Sequence, residues 1–338
     1  MMERHRTAQA VFTDVFRGKR ILVTGGLGFI GSNLARRLVE LGAIITVVDS
    51  LIPEYGGHIF NLAGLENHIR INISDVRDVH SFEHLVRGQD ILFNLAGQTS
   101  HLDSMQHPAT DLEINCQAQL SILETCRKVN PTLKILFAST RQLYGKPDTL
   151  PVNEQHLLRP VDVNGVNKMA GEWYHILYNN VYGLRACALR LTNTYGPRMR
   201  VKDARQTFLG VWIRKVLEGQ PFEIWEGQQI RDFTYVDDCI DALLLAAASE
   251  RTNGQIYNLG GDCHISLLDL GRMLIEAHGS GEFELKSFPP ERKRIDIGNY
   301  YSDWSRIQTA LGWKPTVTLK DGLQRTLHYY HQHLTRYS

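Results

Sequence analysis

Gly25, Gly28 and Gly31 stand in "RILVTGGLGFIGSNLARRL" with the spacing G-x-x-G-x-x-G, between an apolar run and a stretch of helical spacing. Glycine permits a tight turn there and lets a pyrophosphate come up to the backbone. The unpaired N–H groups at the start of the following helix, which opens on Phe29 and Ile30, then face the phosphates. Asp49 closes the next apolar run, "IITVVD". A carboxylate at that place accepts hydrogen bonds from an adenosine ribose and repels a 2′-phosphate, so the pattern favours NAD over NADP. A mere packing turn and a helix-capping aspartate are the structural alternatives. The strand before the glycines and the helix after them supply the context that a dinucleotide site needs. Asp75, in "ISDVRD", is expected beyond the third strand, either facing the adenine or capping the helix that follows.

Two further residues could move protons. His101, in "GQTSHLDSM", follows the fourth strand, where loops enter the cleft of such folds, and an imidazole titrates near neutrality. Lys168, in "DVNGVNKMAGE", would become a usable base if burial lowered its pKa.

These groups need elements to position them. "RILVT" (20–24), "IITVVD" (44–49), "DILFNLAG" (90–97) and "KILFAST" (134–140) read as buried strands, with helical stretches between them, of which 29–42 is the clearest. The alternation predicts an α/β protein with a Rossmann-type, doubly wound parallel sheet. After about Arg190 the pattern changes to helices over 205–218 and 236–249, mixed with short strands and Pro or Gly turns. We therefore expect an N-terminal arm over 1–18, frayed or briefly helical, then an NAD-binding domain over 19–190. A smaller mixed α/β region over 191–338 would bind the substrate. No polar linker separates the halves, so the second is expected to interleave with the first and leave a cleft.

The totals narrow the function classes. The chain has 338 residues and 37 basic side chains against 36 acidic ones, for a formal net charge of +1. That balance gives no reason to expect nucleic acid as a partner. No apolar run reaches the roughly 20 residues that span a bilayer, and the first 20 residues lack the pattern of a secretory signal. Five cysteines, an odd number with no C-x-x-C pair, suit reduced thiols in a cytoplasmic protein. "HYYHQH" (328–333) has histidines but no carboxylate or thiol at ligand spacing, and no metal is expected.

The glycine spacing, "DILFNLAGQ", "LYG", Lys168 with "AGE", "LRLTNTYGPR" and "RDFTYVDD" occur in that order. Together they resemble the extended short-chain dehydrogenases/reductases, in particular the nucleotide-sugar epimerase and dehydratase group. The resemblance covers roughly residues 19 to 335. It implies a tightly held NAD that serves as a recycled redox group. It also implies a nucleotide sugar as partner, a UDP-sugar by preference, epimerised at C4 through a transient ketone. Leu95, Ala96 and Gly97 match the segment beside the cofactor, Thr140 the residue that hydrogen-bonds the reacting hydroxyl, and Lys168 the lysine on the nicotinamide ribose. Asn193 and Arg231 match residues on the diphosphate, and Arg294, within "ERKRID", is assigned a similar part. The stretches 111–129 and 165–181 match helices that pair two subunits into a homodimer.

The chain departs from the family's pattern in two places. A tyrosine one helical turn before the lysine serves these enzymes as base, and Asn164 stands there instead. An amide cannot ionise. The base is then lost, or moved to His101 or Lys168, or the protein binds its ligands without turnover. Dehydratases of the group also carry Asp-Glu where this chain has Arg141 and Gln142. Gln142 cannot protonate a leaving hydroxyl, which argues against ordinary 4,6-dehydration. Arg141 could face an anionic sugar such as a uronate, or serve as a structural arginine on the cleft rim.

Overall fold

In the computed structural model, which describes residues 12–337, seven strands form one parallel sheet. They are β1 (Arg20–Thr24), β2 (Ile44–Asp49), β3 (Ile69–Ile73), β4 (Ile91–Asn94), β5 (Lys134–Thr140), β6 (Arg185–Leu191) and, from the second half of the chain, β10 (Ile256–Asn258). Their spatial order is β10-β6-β5-β4-β1-β2-β3. Helices cover both faces, so the central strands are buried on both sides and read as unbroken apolar runs: β1 buries all but its first residue and β5 all but its last. The doubly wound parallel sheet expected from the alternation is therefore present. The order reverses between β1 and β4, and the crevice at the carboxyl ends of those strands is where such sheets bind ligands.

The remaining strands are β7 (Asn193–Tyr195), β8 (Phe222–Trp225), β9 (Ile230–Tyr235), β11 (His264–Ser266) and β12 (Phe283–Lys286). β9 pairs with β7 in parallel and with β11 antiparallel, while β8 and β12 form a separate parallel pair. This is the smaller mixed region. Its apolar side chains, among them Phe222, Phe233 and Leu274, join those of β1 and β2 in one continuous core.

Six helices position the site. α1 (Phe29–Glu40) follows the glycine turn. α2 (Val79–Val86) is capped by Asp78, whose carboxylate accepts from His80 N and Ser81 N. Asp75 is thus not the cap. α3 (His101–Gln106) starts at Ser100, whose hydroxyl accepts from Asp103 N. The stretch 111–129 is not one α-helix. α4 (Pro108–Leu112) passes through a π turn at Glu113–Gln117 into α5 (Ala118–Val129). The extra residue in the turn swings Asn115 inward, where its amide donates to Gln98 O and Asp111. α6 (Val163–Tyr182) carries Lys168, begins at Asp162 and ends at Gly183, whose φ of +73° suits glycine.

Residues 1–11 of the expected N-terminal arm lie outside the described residues. Residues 12–16 are helical and bury Phe12 and Phe16 in the core. No helix among the described residues is long and apolar enough to cross a membrane. None of their His, Cys, Asp and Glu side chains form a group of three or more placed to hold a metal. All five cysteines are free thiols, three of them buried.

Candidate functional site

The crevice at the β1/β4 switch point collects Gly25, Gly28, Phe29, Ile30, Gly31, Asp49, Asp75, Leu95, Ala96 and Gly97 on one wall system with His101, Thr140, Arg141, Asn164, Lys168 and Asn193. The glycines differ in what they do. Gly25 has φ +66°, and a Cβ on it would meet Ala96 N at 3.0 Å. A Cβ on Gly31 would stand 2.2 Å from Gly25 O. Both are required by the backbone. Gly28 is extended, with φ −75°, and an added Cβ would meet only Gly25 O at 3.1 Å. Its missing side chain leaves room in the crevice, directly before the uncapped N–H groups of α1, and that room suits a pyrophosphate.

Asp49 turns its carboxylate back toward this loop. Oδ2 accepts from Leu27 N at 3.0 Å and Oδ1 from Leu51 N at 2.9 Å, while burial raises its pKa. Lone pairs remain for ribose hydroxyls. Asp75 lines the same crevice but is committed to Arg77, which grips it with Nη2 at 2.7 Å and Nε at 3.0 Å. Residues 95–97 leave the sheet after Asn94. Thr24 Oγ1 accepts from both Leu95 N and Ala96 N at 3.1 Å and donates to Asn94 Oδ1, which pins this segment against the glycine turn.

Lys168 reaches the crevice from α6. Its Nζ donates to Ala138 O at 3.2 Å and lies 5.0 Å from the centre of the Phe137 ring. Gly97 makes room for it, since a Cβ there would stand 2.8 Å from Nζ. Burial draws the lysine down to about 8, against a weaker opposing pull from Asp111. Thr140 begins the turn after β5, and its hydroxyl oxygen accepts from Gln142 N at 3.2 Å.

Asn164 occupies the crevice wall but its amide is engaged elsewhere. Nδ2 donates to Gln98 O at 2.9 Å and Asp111 Oδ2 at 3.0 Å. Asp111 is 1% exposed and also accepts from Asn115 at 3.1 Å and Asn167 at 2.8 Å. Three amides thus surround one buried carboxylate, and Asn164 is one of them.

The imidazole of His101, 38% exposed, stands at the mouth of the crevice with Nδ1 3.0 Å from Asp162 Oδ2. Nδ1 makes no aligned hydrogen bond to that oxygen at this ring orientation. The Asp162 side chain is fully buried. Oδ2 also accepts from Gln142 Nε2 at 2.8 Å, and Oδ1 accepts from Gly165 N at 2.7 Å. Burial works to raise the Asp162 pKa, but His101, Gly165 and Gln142 outweigh it and leave the carboxyl below its usual value. Sequence reasoning missed Asp162. An aspartate just before a helix is legible as a cap, whereas its second oxygen, turned toward His101, has no local signal. Tyr144, the tyrosine of "LYG", is buried between Arg190 and Asn258, and burial pushes it up to about 12, so it is no base.

A second cavity adjoins the crevice and shares His101, Arg141, Asn193, Gln206 and Thr207 with it. Arg231 is buried on its wall, paired with Asp296 at 3.1 Å and donating to Gly298 O. Asn193 receives Arg141 Nη2 at 2.8 Å and donates to Asp232 O at 2.9 Å. Arg294, assigned from sequence to this region, is exposed and stands off the cavity wall. Arg292 is on the wall instead, its guanidinium 4.7 Å from the centre of the Trp225 ring. The short helix α7 (Pro290–Lys293) ends before Arg294 and turns it outward.

The model of the NAD dependent epimerase/dehydratase family matches residues 21–260. The chain is 32% identical over 312 residues to a putative UDP-glucose 4-epimerase of Methanocaldococcus jannaschii, covering 91% of this chain and 97% of that one. It is 30% identical over 326 residues to UDP-glucuronic acid decarboxylase 1 of Xenopus tropicalis, covering 94% and 73%. Among solved structures, the UDP-glucose 4-epimerase of Thermotoga maritima with UDP-glucose superposes with a TM-score of 0.86 at 30% identity, over 93% of this chain and 99% of that one.

Proposed function

Because the chain belongs to the NAD dependent epimerase/dehydratase family, we propose that it is a nucleotide-sugar epimerase acting on a UDP-hexose at C4 through a transient ketone. The observation that carries this reading is the convergence of Thr140, Lys168 and His101 on the crevice that also holds the glycine turn and Asp49. NAD, when bound there, supplies reversible acceptance of a hydride from a sugar carbon. Gly28 and the N-terminus of α1 receive the pyrophosphate, Asp49 the adenosine ribose, and Lys168 the nicotinamide ribose. Asn193 and Arg231 hold the sugar nucleotide's diphosphate, for which a planar guanidinium is well shaped.

Thr140 hydrogen-bonds the reacting hydroxyl and His101 takes its proton. A neutral imidazole that keeps Nδ1–H toward Asp162 presents Nε2 as the acceptor, and the buried carboxylate stabilises the cation that forms. This places the base on α3 rather than on α6. Asn164 has no part in proton transfer and secures Asp111 and the 98–104 segment instead. Lys168 stays mostly protonated at neutral pH with a pKa near 8, which suits holding hydroxyls better than accepting a proton.

Incubation with UDP-, dTDP-, CDP- and GDP-hexoses, followed by NMR and mass spectrometry, tests the reading. A C4 epimer at unchanged mass supports it. Loss of water or of carbon dioxide would move the protein to a dehydratase or decarboxylase, and binding without any turnover would leave a non-catalytic scaffold. Gln142 in place of an acid weighs against dehydration, and the His101–Asp162 pair weighs against the scaffold.

We also propose a cytoplasmic homodimer. α6 exposes Trp173 (51%), Leu177 and Val181 (60%) along one face at four-residue spacing, and α5, which packs against α6, exposes Leu120. A monomeric mass by light scattering at micromolar concentration would refute the dimer.

A further inference from the structure

Leu27, in the middle of the glycine turn, is fully buried, and its carbonyl accepts from two donors of the segment 58–61. These are His58 N at 2.9 Å and Asn61 Nδ2 at 2.8 Å. The N–H of the same peptide, on Gly28, donates to Gly25 O at 3.1 Å. A peptide group is planar, so holding its oxygen and its N–H sets the plane that leads into Gly28. Leu27 N in turn donates to Asp49 Oδ2 at 3.0 Å. The residue gripped by Asn61 therefore joins the place assigned to the pyrophosphate to the carboxylate assigned to the ribose.

The Asn61 amide is itself set by a residue 276 positions further on. Asn61 is fully buried, and its Oδ1 accepts from Tyr337 Oη at 2.7 Å. The amide cannot be turned over, because its NH2 must meet the Leu27 carbonyl and its oxygen must then meet the phenol. A phenol has one proton to give, and Tyr337 gives it to Asn61. In the 2.6 Å contact between Tyr329 Oη and Tyr337 Oη, Tyr329 is therefore the donor. The bonds run one way, from Tyr329 to Tyr337 to Asn61 to the Leu27 oxygen. Tyr329 lies on the helix Leu319–His333, and Tyr337 follows the short turn Leu334–Arg336. The Tyr337 ring is seated on the segment it reaches, 5.4 Å from the centre of the His58 ring and 5.8 Å from that of Phe60. We infer that Tyr337 is a positioning residue for the dinucleotide: through Asn61 its hydroxyl sets the Leu27–Gly28 peptide, and with it how tightly the pyrophosphate is held. The inference rests on the reading of this crevice as an NAD site. It gives a residue of the substrate-binding half a part in retaining the cofactor.

The test is the rate at which the loaded protein releases NAD. Wild type, Tyr337→Phe, Asn61→Asp and Arg336→Ala, each carrying isotope-labelled NAD, are chased with excess unlabelled NAD, and UDP affinity is read in parallel by calorimetry. We expect Tyr337→Phe to release NAD about 5-fold or more faster, the range of one lost hydrogen bond, with UDP affinity unchanged. Arg336 rests over the Phe60 ring at 5.5 Å and has no place in the relay, so Arg336→Ala should release NAD at the wild-type rate. Asn61→Asp keeps an acceptor for Tyr337 and loses the donor to Leu27 O. It should release NAD at least as fast as Tyr337→Phe, and it decides alone if Tyr337→Phe does not fold. A wild-type rate in Tyr337→Phe overturns the proposal. Equally fast release from Arg336→Ala also overturns it, since the effect would then belong to packing on Phe60, and so does a parallel loss of UDP. A wild type that takes up no NAD sinks the NAD reading itself, and this proposal with it.

Discussion

His101 Nδ1 and Asp162 Oδ2 lie 3.0 Å apart, on the first turn of α3 and at the cap of α6. The pair bridges two helices that border the crevice, and one end is fully buried while the other meets solvent. A carboxylate placed behind the imidazole favours the tautomer with its proton on Nδ1, which leaves Nε2 to accept from a substrate hydroxyl.

Asp162→Asn should therefore lower kcat by about 10² to 10³ and leave NAD content unchanged. Asparagine still caps α6 through its amide oxygen, so the thermal midpoint should move little. His101→Ala should cost at least as much, and the double variant little more, because the two act as one unit. Steady-state rates on the accepted sugar measure all three, and full activity in His101→Ala would remove His101 from the mechanism.

Asn164→Tyr should reduce turnover rather than rescue it. The change withdraws one of three amides from buried Asp111 and forces a ring into the 98–104 segment. A buried acceptor left short of a donor costs about 1 to 3 kcal/mol, so a lower unfolding midpoint should accompany the loss. Single-turnover NADH absorbance with product analysis checks it. A large gain in the variant, with wild type silent on every sugar tried, would sink the moved-base reading.

Gly28→Val should abolish NAD binding and preserve the fold. The backbone at Gly28 is open to any residue and only Gly25 O stands near its Cβ, so the valine would project into the space assigned to the pyrophosphate. Nucleotide content after gentle purification, read with circular dichroism, is the measurement. Normal NAD content in the variant would place the pyrophosphate elsewhere.

Lys168→Met should stabilise the NAD-free protein at neutral pH while removing activity. The folded value, about 8, lies below the ordinary lysine value of 10.5, so the unfolded chain holds the proton more tightly. Wild-type stability should then rise with pH between about 8 and 10.5, the sign that follows when the unfolded state binds more protons. The penalty at pH 7 is on the order of 3 kcal/mol, and the advantage of Lys168→Met should fade as pH climbs through that window. Urea midpoints of the two proteins from pH 7 to 10.5 test the slope. A constant difference would mean that Lys168 is not held as a desolvated cation.

Some of this was legible in the chain and some was not, for physical reasons. β1, β2 and β5 announce themselves because strands buried on both faces must be apolar throughout. The glycine turn is legible because its backbone tolerates nothing else at Gly25 and Gly31. The surroundings of Asn164 were not, since its partner Asp111 is far away in sequence and a buried carboxylate among amides has no periodic signature. The π turn hid for a similar reason: "EINCQ" reads as part of a plain amphipathic helix, and only the packing of Asn115 against Gln98 shows the extra residue. Arg294 stands off the cavity wall because a short helix ends just before it, and no local pattern marks that end.

The seventh strand of the sheet has a consequence for how the chain reaches its native state. β10 pairs in parallel with β6, register Ala188 to Ile256, yet it is synthesised only after the whole of β7 to β9. Until residue 258 has left the ribosome, β6 is an open edge whose unpaired backbone groups can recruit strands from other nascent chains. Parallel pairing across so long a loop is also slow to form. Truncation before β10 should therefore yield aggregates rather than a soluble dinucleotide-binding half, and the growing chain should lean on chaperones during that interval.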